Sequence, residues 1–326
     1  MAAAMTPGLS KAVSPIKHLV LSGGGHLGLI EAGVLSFLSE RGFYSRSQLQ
    51  TIHATSVGAI IGAVIALDIP WNHVKAYIVE RPWDKVFSFN IEKLLTIWNQ
   101  QSLFPDECFI KIMEPLLKSQ GLSSTATLTE VFGFSGIHLN FYAVDVPSIE
   151  LVRLSHDTYP DMKLVDAIRA TCAIPILFSP LIYNGQIFAD GGFSNNYPLR
   201  ECVSFREAQR EKGGAAAELS PEDTTDILGI TFEPEPSLSP DGETHRRLID
   251  PDTHTMPVFL YSLLRGILEK NRRHTRSPIS IQYQIVLPNN ESTLESLTDF
   301  LYNKAARSAL LTIGENIAEE SLDRWS

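Results

Sequence analysis

The apolar and polar positions divide the N-terminal part of the chain into short, regular units. Lys17 to Ser22 (KHLVLS) is an apolar run between Pro15 and the glycines at 23–25, which predicts a buried strand. Leu27, Ile30, Val34, Leu35 and Leu38 then recur at helical spacing, predicting a helix over Leu27–Arg41 that Gly42 stops. Ile52 to Pro70 (IHATSVGAIIGAVIALDIP) is almost wholly apolar or small, with Gly58 and Gly62 in GxxxG spacing. As a bilayer span it is barely long enough, and it would carry His53 and Ser56 near one end. Split into a strand over Thr51–Thr55 and a helix over Val57–Leu67, each piece has a natural length, so no span is predicted. Strand, helix, strand, helix within about fifty residues is the pattern of parallel βαβ units.

Further along, Trp71–Gln120 has helical periodicity and many aromatics: Trp71, Trp83, Phe87, Phe89, Trp98, Phe104 and Phe109. Strand patterns resume at His138–Val146, Ile149–Leu154 and around Ile187–Ala189, then near Ile227–Phe232 and Ile279–Leu287. Helices are predicted near Pro257–Arg272 and Leu297–Glu320. The first of these joins an apolar stretch, VFLYSLLRGIL, to a basic one, KNRRHTR. It reads first as a core helix with cations at its C-terminal end, and alternatively as a helix lying in a lipid interface. Residues 1–15 are small and polar without an apolar h-region, which predicts a flexible leader and no signal peptide. Residues 206–226 are charged, small and Gly-rich, and read as a mobile loop. The expected organisation is therefore a leader (1–15), a core (16–205), the loop (206–226) and a C-terminal part (227–326) completing the same α/β domain. No internal repeat is visible.

Composition narrows the function classes. Hydrophobic residues make up 44% of the 326 and charged residues 20%, which suits a soluble globular domain with a sizeable core. The formal charge of −10 argues against nucleic-acid binding and against membrane docking by general attraction, although a local basic patch could act. Cys108, Cys172 and Cys202 have no paired spacing, so neither a disulfide framework nor a zinc site is encoded, and a reducing compartment is expected. No cluster of histidines and carboxylates has ligand spacing, so no metal and no other cofactor is implied.

Three motifs carry candidate chemistry. Gly23-Gly24-Gly25-His26-Leu27-Gly28 lies between the first strand and first helix, where backbone N–H groups and a helix N-terminus can converge on an anion. A dinucleotide site would need a carboxylate at the end of the second strand. That strand ends His53-Ala54-Thr55-Ser56, so this reading fails. Ser56, within Ala54-Thr55-Ser56-Val57-Gly58, instead sits where a nucleophile elbow places a serine, with Ala54 replacing the usual first glycine. Alone, it is equally an N-cap. Asp190-Gly191-Gly192 follows a short strand and, alone, reads as a turn.

The three motifs in this order resemble the patatin-like phospholipase family, as does Arg169-Ala170-Thr171-Cys172-Ala173-Ile174-Pro175 ahead of the Asp motif. The resemblance runs from about Lys17 to Val203. It implies a three-layer α/β/α fold with a mainly parallel central sheet. It also implies a Ser-Asp dyad without a catalytic histidine, Ser56 as nucleophile and Asp190 as base. The oxyanion hole would come from the segment Gly23, Gly24, Gly25, His26 and Gly28, with Ala54, Gly58, Gly191 and Gly192 shaping the turns. The chemistry is coherent: an acyl ester passes through an oxyanion that needs pre-aimed N–H donors, and a serine needs a base to take its proton. A carboxylate with an ordinary pKa of about 3.9 is a weak base, so positioning carries much of the effect. His26 stands where the family usually has a basic residue.

The expected activity is hydrolysis of fatty-acyl esters of phospholipids or neutral glycerolipids, with transient membrane-surface contact by a cytoplasmic protein. The aromatics of Trp71–Phe109 suit either an acyl-chain channel or ordinary core packing. A transacylase and a catalytically silent lipid-binding protein on the same fold are the alternatives. A Ser-His-Asp triad would have to recruit His254 or His274, neither of which sits in a compact turn motif.

Overall fold

The computed structural model describes residues 15–87, 102–213, 223–233, 259–260, 263–264, 266–268, 279–289 and 294–326. The N-terminal βαβ pattern forms as the periodicity predicts: β1 (His18–Leu21), α1 (Gly28–Glu40), β2 (Thr51–Thr55) and α2 (Val57–Ala66). A 3-10 turn, Gly25–Leu27, precedes α1. Then follow α3 (Trp71–Glu80), α4 (Trp83–Phe87), α5 (Glu107–Ser119) and α6 (Leu128–Ser135). The second half contributes β3 (His138–Asp145), β4 (Glu150–Leu154), α7 (Leu164–Thr171), β5 (Leu181–Tyr183) and β6 (Gln186–Asp190). It ends with α8 (Leu199–Gly213), β7 (Ile227–Phe232), β8 (Tyr283–Leu287), α9 (Leu294–Tyr302) and α10 (Lys304–Trp325).

All eight strands join one sheet, hydrogen-bonded in the order β5-β6-β3-β2-β1-β7-β8, with β4 also on β3. The pairs β3–β2, β2–β1, β1–β7 and β7–β8 are parallel, and β4, β6 and β5 add antiparallel pairs. Alternation along β1 splits the core. Leu19 and Leu21 face the large cluster under α1, α2 and α7, whereas Val20 faces a smaller one with Leu199 and Cys202 of α8. The fold is therefore α/β with a mainly parallel central sheet and helices on both faces. Among the described residues no helix is long and apolar enough to cross a membrane.

The register of β3 places two chain ends against each other. Phe141 and Tyr142 pair with β2 and with β4, while Ala143, Val144 and Asp145 pair with β4 and with β6. Since β4 takes one edge of β3 throughout, β2 and β6 must share the other edge, end to end. Thr55 is level with Tyr142 and Asp190 with the next residue, Ala143.

Two expectations need correction. Residues 206–213 are helical, not loop: α8 runs through them because Arg206 is 4% exposed and anchored. Its guanidinium donates to Asp226 Oδ1 (2.5 Å) and the Asp223 carbonyl (2.8 Å), and His18 Nε2 lies 3.6 Å from Asp226. Burial lowers the His18 pKa to about 4, so its ring is neutral. Residues 214–222 lie outside the described residues. The second correction is β5, for which no strand was expected. It forms a two-residue hairpin with β6 through Asn184 (φ 49°) and Gly185 (φ 79°).

The C-terminal helix α10 grips α1 at a glycine crossing. A Cβ on Gly33 would stand 2.2 Å from the Leu311 carbonyl oxygen, and one on Gly314 2.0 Å from that of Ile30. Arg307, 2% exposed, ties the same region together by donating to the carbonyls of Val79, Phe300 and Leu301. The crossing gives a prediction whose sign discriminates. Helix propensity alone makes Gly314→Ala stabilising by about 1 kcal/mol. The backbone clash makes it destabilising by about 2 kcal/mol, which urea denaturation of the two proteins will read.

Candidate active site

Ser56 leaves β2 with φ 53° and ψ −126°, a conformation that L residues rarely adopt and that costs about 1–3 kcal/mol. It is the strained strand-to-helix turn of a nucleophile elbow. Its side chain makes no cap hydrogen bond to α2, so the N-cap explanation of this serine falls away. The Ser56 N–H donates to Thr171 Oγ1 at 2.9 Å, and that hydroxyl in turn donates to the Tyr142 carbonyl. Ala54 is fully buried within β2 and has no positive φ, so a methyl is tolerated there. Gly58 cannot be replaced so easily: a Cβ would lie 2.8 Å from the Leu21 carbonyl oxygen, where α2 presses on β1.

Asp190 arrives from the opposite direction on β6 and is 2% exposed. Its Oδ1 accepts the Gly192 N–H at 2.7 Å, which orients the carboxylate. Gly191 lets the two strand ends meet, because a Cβ there would stand 2.2 Å from the Tyr142 carbonyl oxygen and 3.0 Å from Thr55 Cγ2. Thr55 Oγ1 also donates to the Asn195 carbonyl at 3.1 Å. Cys172 is fully buried beside Ser56 and within the field of the Asp190 charge. Burial, aided by the Asp190 charge, holds its thiol well above the usual thiol range, so it is no rival nucleophile.

The glycine loop closes the third side. A Cβ on Gly23 would be 3.0 Å from Ser56 Cβ, and one on Gly28 would be 2.5 Å from Val57 Cγ2. The loop therefore packs directly on the elbow. Asn196 clamps it: Nδ2 donates to the Gly23 carbonyl at 2.8 Å, and the Gly23 N–H donates to the Asn196 carbonyl at 3.2 Å. Gly23 is thus committed elsewhere and is not an oxyanion donor. The same holds for Gly28, whose N–H is taken by the carbonyls of Gly25 and His26. Among the described residues, the N–H groups of Gly24, Gly25 and His26 have no backbone acceptor, as at any helix start. Gly25 has φ +57° and open space around its Cβ position, whereas a Cβ on Gly24 would meet the Phe232 ring at 2.3 Å.

Burial works against charge on three other ionisable groups nearby, His26, Glu31 and His53. Burial lowers the His26 pKa to about 4, so an uncharged ring, 6.3 Å from that of Phe300, stands in the loop. Glu31 of α1, fully buried beside Ser22 and Tyr197, has its carboxyl pKa pushed up by burial. His53 is fully buried, with Nδ1 2.8 Å from Tyr142 Oη and Nε2 3.4 Å from Asn140 Nδ2. Among the described residues no hydrogen bond or ring contact joins a histidine to Ser56, and no group of three His, Cys, Asp or Glu could hold a metal. His254 and His274 lie outside the described residues.

Aromatic residues extend from the loop. Phe300 packs on Trp83 (5.5 Å) and Phe87 (6.0 Å), Phe87 on Phe104 (5.2 Å), and Phe104 and Phe109 on Phe178 (5.4 and 4.9 Å). Trp83, Phe104 and Phe109 are buried, so at these positions core packing is what the sequence pattern records. Phe89 and Trp98 lie outside the described residues. Thr171, Asn196 and Tyr142 were not assigned roles from sequence. Thr171 sits inside the small-residue stretch that carries the resemblance, which was the available signal.

The profile described as patatin-like phospholipase matches residues 19–203, more than half of the chain. A protein of Invertebrate iridescent virus 6 named "Probable lipid hydrolase 463L" is 27% identical over 198 residues, covering 60% of this chain and 66% of its own length. The Bacillus subtilis protein YqhO is 25% identical over 329 residues, covering 94% of this chain and 98% of its own. The crystal structure of VipD from Legionella pneumophila superposes with a TM-score of 0.51 at 15% identity, covering 95% of this chain and 67% of that one. The chain thus spans about two-thirds of the viral relative; the glycine loop, Ser56, the Asp190 turn and strands β2 to β6 fall within residues 19–203, whereas β7 and β8 lie beyond them. The chain belongs to the patatin-like phospholipase family.

Proposed function

We propose that the protein hydrolyses fatty-acyl esters of phospholipids or glycerolipids through an acyl-enzyme on Ser56. The observation that carries this reading is the end-to-end meeting of β2 and β6 along one edge of β3. It sets an elbow serine and an oriented, buried carboxylate on consecutive levels of the sheet. Family membership and the viral relative's name support lipid-ester hydrolysis as the reaction class.

In this mechanism Asp190 takes the Ser56 hydroxyl proton as Oγ attacks the ester carbonyl carbon. The tetrahedral oxyanion forms beside Gly24, Gly25 and His26, whose N–H groups donate to it, with the start of α1 adding its dipole. Collapse expels the alcohol, which takes the proton back from Asp190. Water then repeats the sequence with the acyl carbon, Asp190 again accepting the proton, and frees the fatty acid.

A fluorophosphonate probe is expected to label the folded protein at Ser56, read by peptide mapping, and Ser56→Ala to abolish labelling and ester hydrolysis. Asp190→Asn is expected to lower kcat by about 10²–10⁴-fold. A comparable loss in His254→Ala or His274→Ala would overturn the dyad.

The neutral His26 yields a separate expectation. With its pKa at about 4, it binds no proton between about pH 5.5 and 8 and contributes no ionisation there. The kcat/KM profiles of the wild type and His26→Gln should therefore share one shape over that range. An inflection present only in the wild type would contradict the assignment.

A further inference from the structure

One buried carboxyl beside the glycine loop takes no part in the dyad. Glu31 is the lone charge between Leu27 and Phe37, stands in the first turn of α1, and is 0% exposed. Neither of its carboxyl oxygens has a hydrogen-bond partner, and among the described residues no cation pairs with it. The Ser22 amide faces it but is already committed to the Ile230 carbonyl at 3.2 Å. Ser22 is the root of the loop, since the next residue, Gly23, packs on Ser56. Two enclosed hydroxyls also have no partner, Ser22 Oγ and Tyr197 Oη. Tyr197 follows the Asp190 turn, and its Oη is 1.9 Å from where a Cβ on Gly229 would be, one residue before Ile230 on β7.

We propose that Glu31 is a positioning residue for the glycine loop: an uncharged carboxylic acid that holds the root of the loop at Ser22 and silences the site when it loses its proton. The silencing rests on the lipid-ester reading of the Ser56 site; the assignment of the proton does not. A carboxylate wholly removed from water with no cation beside it is so unfavourable that the group keeps its proton instead. Burial accordingly holds the Glu31 carboxyl well above the usual carboxylate range. The protonated acid carries one donor and spare acceptors, which complement the unpartnered Ser22 hydroxyl. Loss of the proton places a full negative charge next to the Ser22–Gly23 main chain, where it opposes the oxyanion that forms beside Gly24, Gly25 and His26. The groups around Glu31 leave that charge uncompensated. His26 of the loop has its pKa lowered to about 4, and burial holds the Tyr197 hydroxyl above the usual phenol range. Helix α2 and strand β7 carry no ionisable side chain. On α10, Arg307 donates to the carbonyls of Val79 and Phe300, Glu315 pairs with Lys75, and Glu319 with Arg41. His18 of β1 is at the far end of that strand, against Thr51 and Asp226.

Two variants of the full chain, Glu31→Gln and Glu31→Met, separate the proton from the volume the side chain fills. Near neutral pH the infrared difference between the wild type and Glu31→Gln is expected to contain the carbonyl stretch of a protonated carboxyl, shifted in heavy water. Above about pH 4.5 the unfolded chain ionises Glu31 while the folded protein keeps its proton, so folding takes up a proton and Glu31 lowers stability as pH rises. The stability of Glu31→Gln relative to the wild type, read by urea denaturation, should therefore increase with pH from that point. With a soluble short-chain ester, wild-type kcat/KM should fall by about tenfold or more on the alkaline side, and Glu31→Gln should lack that limb. Glu31→Met should lower kcat by about tenfold near neutral pH with KM little changed, and Glu31→Gln should recover most of the loss. A difference spectrum that shows only an ionised carboxylate overturns the proposal, as does an alkaline limb that survives in folded Glu31→Gln. Should Glu31→Gln not fold, Glu31→Met supplies the same spectral and alkaline comparisons. If the spectrum and the stability come out as expected yet the wild type hydrolyses no ester, the assignment of the proton stands and the lipid-ester reading fails.

Discussion

The strained backbone of Ser56 is the constraint on which the rest of the structure depends. A serine at φ 53° and ψ −126° gives up about 1–3 kcal/mol of local stability, and such a conformation persists only where the surroundings over-determine it. Those surroundings are identifiable. Thr171 holds the Ser56 amide, Gly58 lets α2 press on β1 behind it, and Gly23 lets the glycine loop pack against its Cβ. Each contact comes from a different part of the chain. The strain is therefore maintained by the whole fold.

The same reasoning explains why residues far beyond the matched family region matter to the site. The loop that supplies Gly24, Gly25 and His26 opens into α1, and α1 is fixed by α10 at the Gly33–Gly314 crossing. Arg307 of α10 ties the carbonyls of α3 and α9, while Phe300 of α9 meets the His26 ring. The C-terminal helices are in effect the outer wall of the glycine loop. Arg206 and Asp226 do a similar task at the other end of the sheet, fixing the start of β1 through the Asp226 carbonyl.

Much of this was legible in the sequence because it is local. β1, α1, β2 and α2 follow from periodicity and glycine placement, and the elbow and Asp motif follow from their position at strand ends. What escaped was either short or long-range. β5 is only three residues, too few for a pattern, although Asn184-Gly185 is a two-residue hairpin signal that could have located it. The helix through 206–213 looked like loop by composition, since its stability comes from one buried ion pair rather than an apolar stripe. Gly23 and Gly28 look identical in sequence to Gly24 and Gly25. Only Asn196, 173 residues later, and the 3-10 turn decide which amides are spent. The proximity of Ser56 to Asp190 is likewise invisible until β2 and β6 are seen to share an edge.

His26 shows how electrostatics at the loop must be apportioned. A basic side chain in that position would bring a full positive charge beside the developing oxyanion. A ring with a pKa of about 4 brings none near neutral pH. On the proposed mechanism, stabilisation there comes from oriented dipoles: the amides of Gly24, Gly25 and His26, and the start of α1, where unpaired N–H groups carry roughly half a unit of positive charge. Dipoles fixed by the backbone cost no reorganisation as charge develops, and they gain strength where water is excluded. On the proposed mechanism, a neutral loop and the buried aromatic cluster beginning at Phe300 answer one requirement, a low-dielectric surrounding for a charge that would exist only during reaction.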